Sequence, residues 1–188
     1  MKTRHLILAA SAIGLLAGFG AARAAAPGEA AIETVPRLDL DRYVGQWYEI
    51  AHYYNWFQRK CTGDVSARYS WRPDGRIDVL NRCRVREGRY ESAHGIARPD
   101  TSSLARRNTS SKLEVRFAPS WLSWLPPVWG KYWVIMLDED YKWAVVSDPK
   151  KKYLWILSRE KEMPEDVYAK ILADLRAKGF DTDKLIRG

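Results

Sequence analysis

Most of this chain consists of short segments in which apolar and polar residues alternate, and this alternation restricts the fold more than any other feature. In the clearest segment, residues 64–71, every second residue from Val65 to Trp71 is apolar and the intervening residues are polar. A period of two is typical of a β-strand with one buried face. The Pro73-Asp74-Gly75 sequence that follows predicts a hairpin turn.

The other alternating segments extend this pattern to an all-β, eight-stranded antiparallel up-and-down β-barrel. The predicted strands are residues 46–54, 64–71, 77–85, 90–98, 112–117, 132–137, 143–147 and 153–158. No helical period separates them, which excludes βαβ crossovers and favours an antiparallel meander. Eight strands leave two edges unless the sheet closes, and a closed barrel of this size has room for one small ligand.

A helical period is found only near the C-terminus. Apolar residues recur at helical spacing from Val167 to Leu175, Pro164 stands near the start, and Gly179 follows the last turn. We therefore expect one C-terminal α-helix packed on the outside of the barrel.

The N-terminus has the pattern of a secretory signal peptide over residues 1–24. It begins with Lys2 and Arg4, continues with an apolar stretch and ends in an A-x-A cleavage site at Ala24. An uncleaved membrane anchor is the alternative. Phe19 occupies the place of the lipidated cysteine of a bacterial lipoprotein. We expect an exported, periplasmic protein, with or without association with the outer membrane, in which a flexible lead-in over residues 25–37 precedes one domain over residues 38–188.

The charge balance bears on the partners of the mature protein. The formal net charge is +8, and removal of Lys2, Arg4 and Arg23 with the signal leaves +5. A positive net charge favours anionic surfaces. For an exported protein this predicts peripheral contact with an anionic membrane, and no nucleic acid partner.

Cys61 and Cys83 are the two cysteines of the chain. An even number of cysteines in an exported protein predicts one disulfide. The alternative is a reactive thiol pair or a cysteine nucleophile, which needs an activating partner that the neighbouring sequence does not supply.

Four sequence segments together resemble the lipocalin family, in particular its bacterial branch close to apolipoprotein D and the plant temperature-induced lipocalins. They are residues 45–51 (GQWYEIA), 74–75 (DG), 132–135 (YWVI) with Leu137-Asp138, and 153–159 (YLWILSR). They occur in order over nearly the whole mature chain. The Thr-Asp-Tyr triplet of typical members is represented only by residues 137–141 (LDEDY).

The resemblance implies a barrel with a pocket for a hydrophobic molecule, and it assigns structural roles to three residues. Gly45 permits a tight turn into the first strand. Trp47 is expected to lie across the closed end, with Arg159 packed over its ring as a cation on an aromatic face. These residues are therefore expected to be structural.

The opposite, open end should gather the loops that follow the first, third, fifth and seventh strands. These loops contain Trp56, Trp121, Trp124 and Trp129, and the basic run Lys150, Lys151 and Lys152. Tryptophan and lysine at one rim are typical of a membrane contact. The Trp-rich loop could instead fold over the mouth as a lid or pack as core.

Residues that share the inward register of Trp47 are the predicted ligand pocket. The candidates are Ala51, Tyr53, Val65, Ala67, Tyr69, Val79, Asn81, Phe117, Tyr132, Val134, Trp143 and Trp155. In the last three strands both faces are apolar, so alternation alone does not choose the inner one. Glu49 also has the inward register and would need a hydrogen-bonding partner if buried.

These features predict a binding protein for a fatty acid or lysophospholipid that serves in lipid transport or storage in the cell envelope. We expect no catalytic activity, cofactor or metal, and either a monomer or a homodimer. The alternatives are a lipocalin-fold enzyme with a thiol or haem centre, and an interaction module that uses the Trp-rich loop. Only His52 and His94 remain in the mature chain, and neither lies beside a nucleophile in sequence.

Overall fold

The eight predicted strands form a closed antiparallel barrel in the computed structural model, which describes residues 32–100, 110–122, 125 and 128–188. The barrel strands are β1 (Gly45–Tyr53), β2 (Gly63–Trp71), β3 (Ile77–Arg84), β4 (Tyr90–Pro99), β5 (Lys112–Arg116), β6 (Gly130–Leu137), β7 (Trp143–Ser147) and β8 (Leu154–Ser158). Each strand pairs with the next, and β1 pairs with both β2 and β8, which closes the barrel. The predicted fold is confirmed.

Three further elements complete the fold. A short helix, α1 (Leu40–Tyr43), precedes β1, and its N-cap Asp39 accepts hydrogen bonds from the backbone of Asp41 and Arg42. Helix α2 (Glu165–Ala177) lies close to its predicted bounds. A ninth strand, β9 (Leu185–Arg187), was not predicted and pairs with the end of β1 that β2 leaves free. Among the described residues, no helix has both the length and the apolarity needed to cross a membrane.

The two faces of the barrel wall bury separate cores. The inner core contains Trp47, Val79, Val134 and Leu157, and α1 contributes Tyr43 to it. The outer core lies between the sheet and α2, whose Tyr168, Ile171 and Leu175 are buried. The helix therefore covers one side of the barrel and leaves the interior to the strands and α1.

A β-bulge in β1 reverses the alternation of inward and outward side chains along the strand. Glu49 pairs with Leu157 and Ala51 with Ile156, so Ile50 is an extra residue without a partner in β8. One additional residue reverses the side to which the following side chains point. As a result, the first half of β1 presents Trp47 and Glu49 to the interior, whereas the second half presents His52.

Part of the segment interpreted as a flexible lead-in is attached to the barrel. The backbone N–H of Val35 donates to the carbonyl of Val134 at 3.0 Å, and Val35 packs against the inner core. Leu38 is fully buried there. The predicted signal peptide, residues 1–24, lies outside the described residues.

Candidate functional site

The barrel interior is lined by most of the predicted pocket residues. Tyr69, Val79 and Val134 are buried in the inner core, and Ala67, Tyr132 and Trp155 are partly buried against it. Asn81 has the inward register on β3, and the half-buried Val65 lies at an irregularity of the β2–β3 pairing between Gly63 and Ser66. The Asn81 Oδ1 atom is buried and has no hydrogen-bond partner.

The predictions for Ala51, Tyr53 and Trp143 are wrong, because all three belong to the outer core beneath α2. For Ala51 and Tyr53 the reason is the bulge at Ile50, which turns them outward. Trp143 precedes Ala144, which lies in the inner core, so its own side chain points outward.

Phe117 lies just beyond β5 and is partly exposed. It packs on the wall at Gly95, where an added Cβ would come within 2.8 Å of the Phe117 ring. Gly95 pairs with Val79 and so faces the interior. The Phe117 ring therefore lies against the inner face of the wall at the open end, where it stays partly exposed.

A polar network inside the barrel links β1, β8 and the loop after β1. The Nδ1 atom of His52 lies 2.7 Å from Oε1 of Glu49. The other Glu49 oxygen, Oε2, accepts a hydrogen bond from Gln58 Nε2 at 2.7 Å. The Gln58 Oε1 atom in turn accepts from the Trp155 indole N–H at 3.1 Å, and Asn55 also donates to it.

The register of β1 identifies Glu49 as an inward residue, but sequence analysis missed His52 and Gln58. Alternation places His52 on the outside, because the bulge is not visible in the sequence. Gln58 belongs to a one-turn 3-10 helix, Trp56–Gln58, in the loop after β1. Asn55 caps this turn by accepting from the Gln58 backbone N–H at 2.9 Å, and this bond fixes the start of the Gln58 side chain.

Three tyrosine hydroxyl groups meet in the inner core. The Tyr132 hydroxyl lies 2.7 Å from that of Tyr43 and 3.0 Å from that of Tyr69. Burial raises the pKa of Tyr69 to about 12, and it raises the pKa of Tyr43 and Tyr132 well above their usual value. The three groups therefore stay neutral and satisfy one another.

Trp47 and Arg159 close the end of the barrel near α1. The Arg159 guanidinium carbon lies 3.8 Å from the centre of the fully buried Trp47 ring. The guanidinium also donates to the backbone carbonyls of Arg42, Tyr43, Val44 and Gln46. Gly45 has φ of +104°, and an added Cβ there would lie 3.2 Å from Arg159 Nη1. The contact of Arg159 with the Trp47 ring is the one that the resemblance implies.

The open end exposes aromatic residues on two loops. Trp56 is 64% exposed and Trp121 is 72% exposed. Phe57, next to Trp56, contacts the rings of Tyr153 and Trp155. The loop after β1 therefore lies beside the mouth of the barrel.

The other predicted mouth residues differ in their surroundings. Trp129 is buried, with the Arg98 guanidinium 3.8 Å from its ring centre, so it packs on the barrel wall and is not a surface contact. Lys150 and Lys152 are exposed, whereas Lys151 is half-buried near the Phe180 ring. Trp124 lies outside the described residues.

The predicted disulfide is present, with the Cys61 and Cys83 sulfur atoms bonded and the Cα atoms 5.6 Å apart. It fastens the loop after β1 to the open end of β3. Because each sulfur is bonded to the other, neither is a thiolate, and this arrangement disagrees with the thiol-enzyme alternative.

Comparison with known proteins agrees with this geometry. The lipocalin-like domain family matches residues 38–188. Temperature-induced lipocalin-1 of Arabidopsis thaliana is 37% identical over 155 residues, which are 82% of this chain and 80% of the plant protein. The outer membrane lipoprotein Blc of Escherichia coli K12 is 35% identical over 156 residues, which are 82% of this chain and 81% of Blc.

A solved structure shows the same architecture. Insecticyanin from the tobacco hornworm Manduca sexta superposes with a TM-score of 0.64 at 20% identity, covering 84% of this chain and 83% of insecticyanin. The match of the family over the whole barrel and helix, together with relatives above 30% identity, shows that this chain belongs to the lipocalin-like family.

Proposed function

We propose that this protein binds a single-chain amphiphile, a fatty acid or a lysophospholipid, and transports or stores it in the bacterial cell envelope. The observation that supports this most directly is the inner wall, on which apolar side chains of β2, β3 and β6 surround a few polar groups. Ligand sites in proteins commonly have this composition. Membership of a family that binds small hydrophobic ligands agrees with it.

The location in the envelope is supported by the sequence and by relatives. Residues 1–24 have the pattern of a signal peptide, and several bacterial relatives are named outer membrane lipoproteins. Because Phe19 replaces the lipidated cysteine, we propose a periplasmic protein without a lipid anchor. Intact mass of the protein isolated from periplasm should correspond to a chain that begins at Ala25.

Ligand binding is tested by extraction and titration. Purified protein is extracted and the extract analysed by mass spectrometry, and delipidated protein is then titrated with lysophospholipid while tryptophan fluorescence is followed. We expect a copurifying lipid and saturable binding. If nothing is extracted and no lipid saturates the signal, the proposed function is wrong.

A pair of matched variants tests whether the ligand site is inside the barrel. Ala67 and Ser66 are adjacent half-buried residues of β2 that point to opposite faces. Ala67→Phe places a ring in the interior and should weaken lysophospholipid binding by tenfold or more, on the order of 1.4 kcal/mol. Ser66→Phe places the same ring outside and should bind like the wild type. Equal affinity of the two variants would contradict an interior site.

We also propose that the exposed aromatic residues of the open end make a peripheral contact with an anionic membrane. Trp56 and Trp121 are exposed there, and Lys150 and Lys152 are exposed on the loop after β7, which is at the same end of the barrel. Tryptophan favours the membrane interface, and each lysine near an anionic surface contributes about 1 kcal/mol.

Vesicle flotation tests this contact. Trp56→Ser with Trp121→Ser should reduce binding to phosphatidylglycerol vesicles by about tenfold, because two interfacial rings are lost, and should leave lysophospholipid affinity unchanged. Trp71→Ser is the control, since Trp71 is also exposed but lies at the closed end, where its indole donates to Asp41 at 2.8 Å. Equal vesicle binding of the double variant and the control would contradict the membrane contact.

A further inference from the structure

The interior of this barrel contains a buried acid whose basic neighbour is His52 and not a lysine or arginine. The Glu49 side chain is 4% exposed. Within the described barrel strands β1–β8, every lysine and arginine has the outward register, as Arg68, Arg82 and Arg116 illustrate. A buried carboxylate without a lysine or arginine beside it disfavours a second anionic group nearby.

Two buried oxygen atoms of this inner wall also lack hydrogen-bond donors. Glu49 Oε1 lies close to His52 Nδ1, but the pair does not have hydrogen-bond geometry, and Asn81 Oδ1 has no partner. Buried acceptors of this kind are normally satisfied. The interior therefore favours a ligand that brings a hydrogen-bond donor with it.

The Gln58 carboxamide indicates which group fits between β1 and β8. Its Nε2 donates to Glu49 Oε2 at 2.7 Å and its Oε1 accepts from the Trp155 indole at 3.1 Å. A group that takes its place has to donate to a carboxylate and accept from an indole. A hydroxyl does both with one atom, whereas a carboxylate cannot donate and an ammonium cannot accept.

We propose that Glu49, His52 and Trp155 form a polar subsite that takes a hydroxyl group of the bound lipid in place of the Gln58 carboxamide, and that Glu49 excludes free carboxylates from it. This inference rests on the proposed function, because it selects among lipids that enter the barrel. A hydroxylated acyl lipid such as a monoacylglycerol or a lysophospholipid meets the requirement. An ionised free fatty acid does not meet it, because its only polar group is a carboxylate, which cannot donate a hydrogen bond.

The test compares three lipids with the same chain: monolauroylglycerol, lauric acid and methyl laurate, each titrated calorimetrically into delipidated wild-type protein at pH 7.5. Because a hydrogen bond to a charged group is stronger than a neutral one, monolauroylglycerol should bind about tenfold more tightly than either of the others. Equal binding of all three would overturn the subsite and leave the proposed function intact. Binding of none would overturn both.

Glu49→Gln removes the charge and keeps the shape of the side chain. Its preference for monolauroylglycerol over lauric acid should fall to within about threefold, mainly because lauric acid binds more tightly once the like charge is gone. Glu91→Gln is the matched control, since Glu91 pairs with Cys83 in the same inward register but is exposed at the rim. An unchanged preference in Glu49→Gln, or an equal loss in Glu91→Gln, would overturn the proposal.

A second variant keeps the proposal testable if Glu49→Gln fails to fold. Gln58→Ala removes the side chain that competes for the same two partners and retains Glu49 and Trp155. We expect monolauroylglycerol to bind several-fold more tightly and methyl laurate to bind as before. An equal change for both lipids would show that Gln58 only obstructs the mouth, and would overturn the hydroxyl subsite.

Discussion

At the scale of single residues, Gly95 leaves no room for a larger side chain in the barrel wall. An added Cβ would lie 2.8 Å from two carbon atoms of Phe117 and 2.9 Å from the backbone oxygen of Arg116. The ring can move, but the backbone of β5 cannot without disturbing its pairing with β4. Gly95 therefore sets the position of Phe117 at the rim.

Gly95→Ala should destabilise the protein by about 1–3 kcal/mol, because the added methyl group overpacks the wall. Gly130→Ala is the control: its nearest contact would be the Val115 carbonyl oxygen at 3.6 Å, an ordinary van der Waals distance. We expect that change to alter the free energy of unfolding by less than about 0.5 kcal/mol. Urea denaturation of both variants measures the difference, and similar losses would contradict this explanation.

At the scale of elements, the β1 bulge shows what sequence could and could not predict. Alternation correctly located all eight barrel strands and the helix, because strand period and turn residues are local properties. It misplaced Ala51 and Tyr53, because the extra residue Ile50 is apolar like its neighbours and leaves no sign of the reversal. The same reversal brought His52 inside.

The open-end loops show a second limit of sequence reasoning. The composition of residues 117–129 correctly indicated an exposed Trp121, but not that Trp129 is buried against Arg98. Gln58 reaches the interior only because its 3-10 turn is capped by Asn55 and placed beside Trp155. Such contacts depend on tertiary structure, whereas the disulfide was predicted from the even cysteine count and the signal-peptide pattern.

The Cys61–Cys83 disulfide covalently links the loop after β1 to the end of β3. Replacing both cysteines with alanine should lower the free energy of unfolding by about 3 kcal/mol, the chain-entropy estimate for a loop of this size, since 22 positions separate the cysteines. Guanidinium denaturation gives the value, and chemical reduction of the wild type should reproduce it. A loss below about 1 kcal/mol in both experiments would show that the loop is held by its other contacts.

At the scale of the whole molecule, the three buried tyrosines make the fold sensitive to alkali. The pKa of Tyr69 is raised to about 12 in the folded protein, and burial raises the pKa of Tyr43 and Tyr132 as well. In the unfolded chain tyrosine titrates near 10. Above that pH the unfolded state binds fewer protons than the folded state, so stability falls as pH rises.

We expect the free energy of unfolding to be independent of these groups below about pH 9 and to fall between about pH 10 and 12. Tyr69→Phe should make the fall shallower, because one raised pKa is removed. At pH 7 the Tyr69→Phe substitution should lower the free energy of unfolding by about 1 kcal/mol, because the hydrogen bond to Tyr132 is lost. Denaturation at several pH values checks this, with exposed Tyr54→Phe as the control. An unchanged slope in Tyr69→Phe would contradict the explanation.

The closure of the barrel also determines when the chain stops exposing strand edges. β1 pairs with β8 through Tyr48 and Ser158, and Arg159 fastens this junction to Tyr43 across 116 positions of sequence. Contacts between such distant residues require closure of a long loop, which slows folding. Until residues 154–159 join, β1 and β7 each keep an unpaired edge that can pair with another chain. A chain truncated before Leu154 is therefore an open sheet prone to aggregation, and only the complete chain protects its own edges.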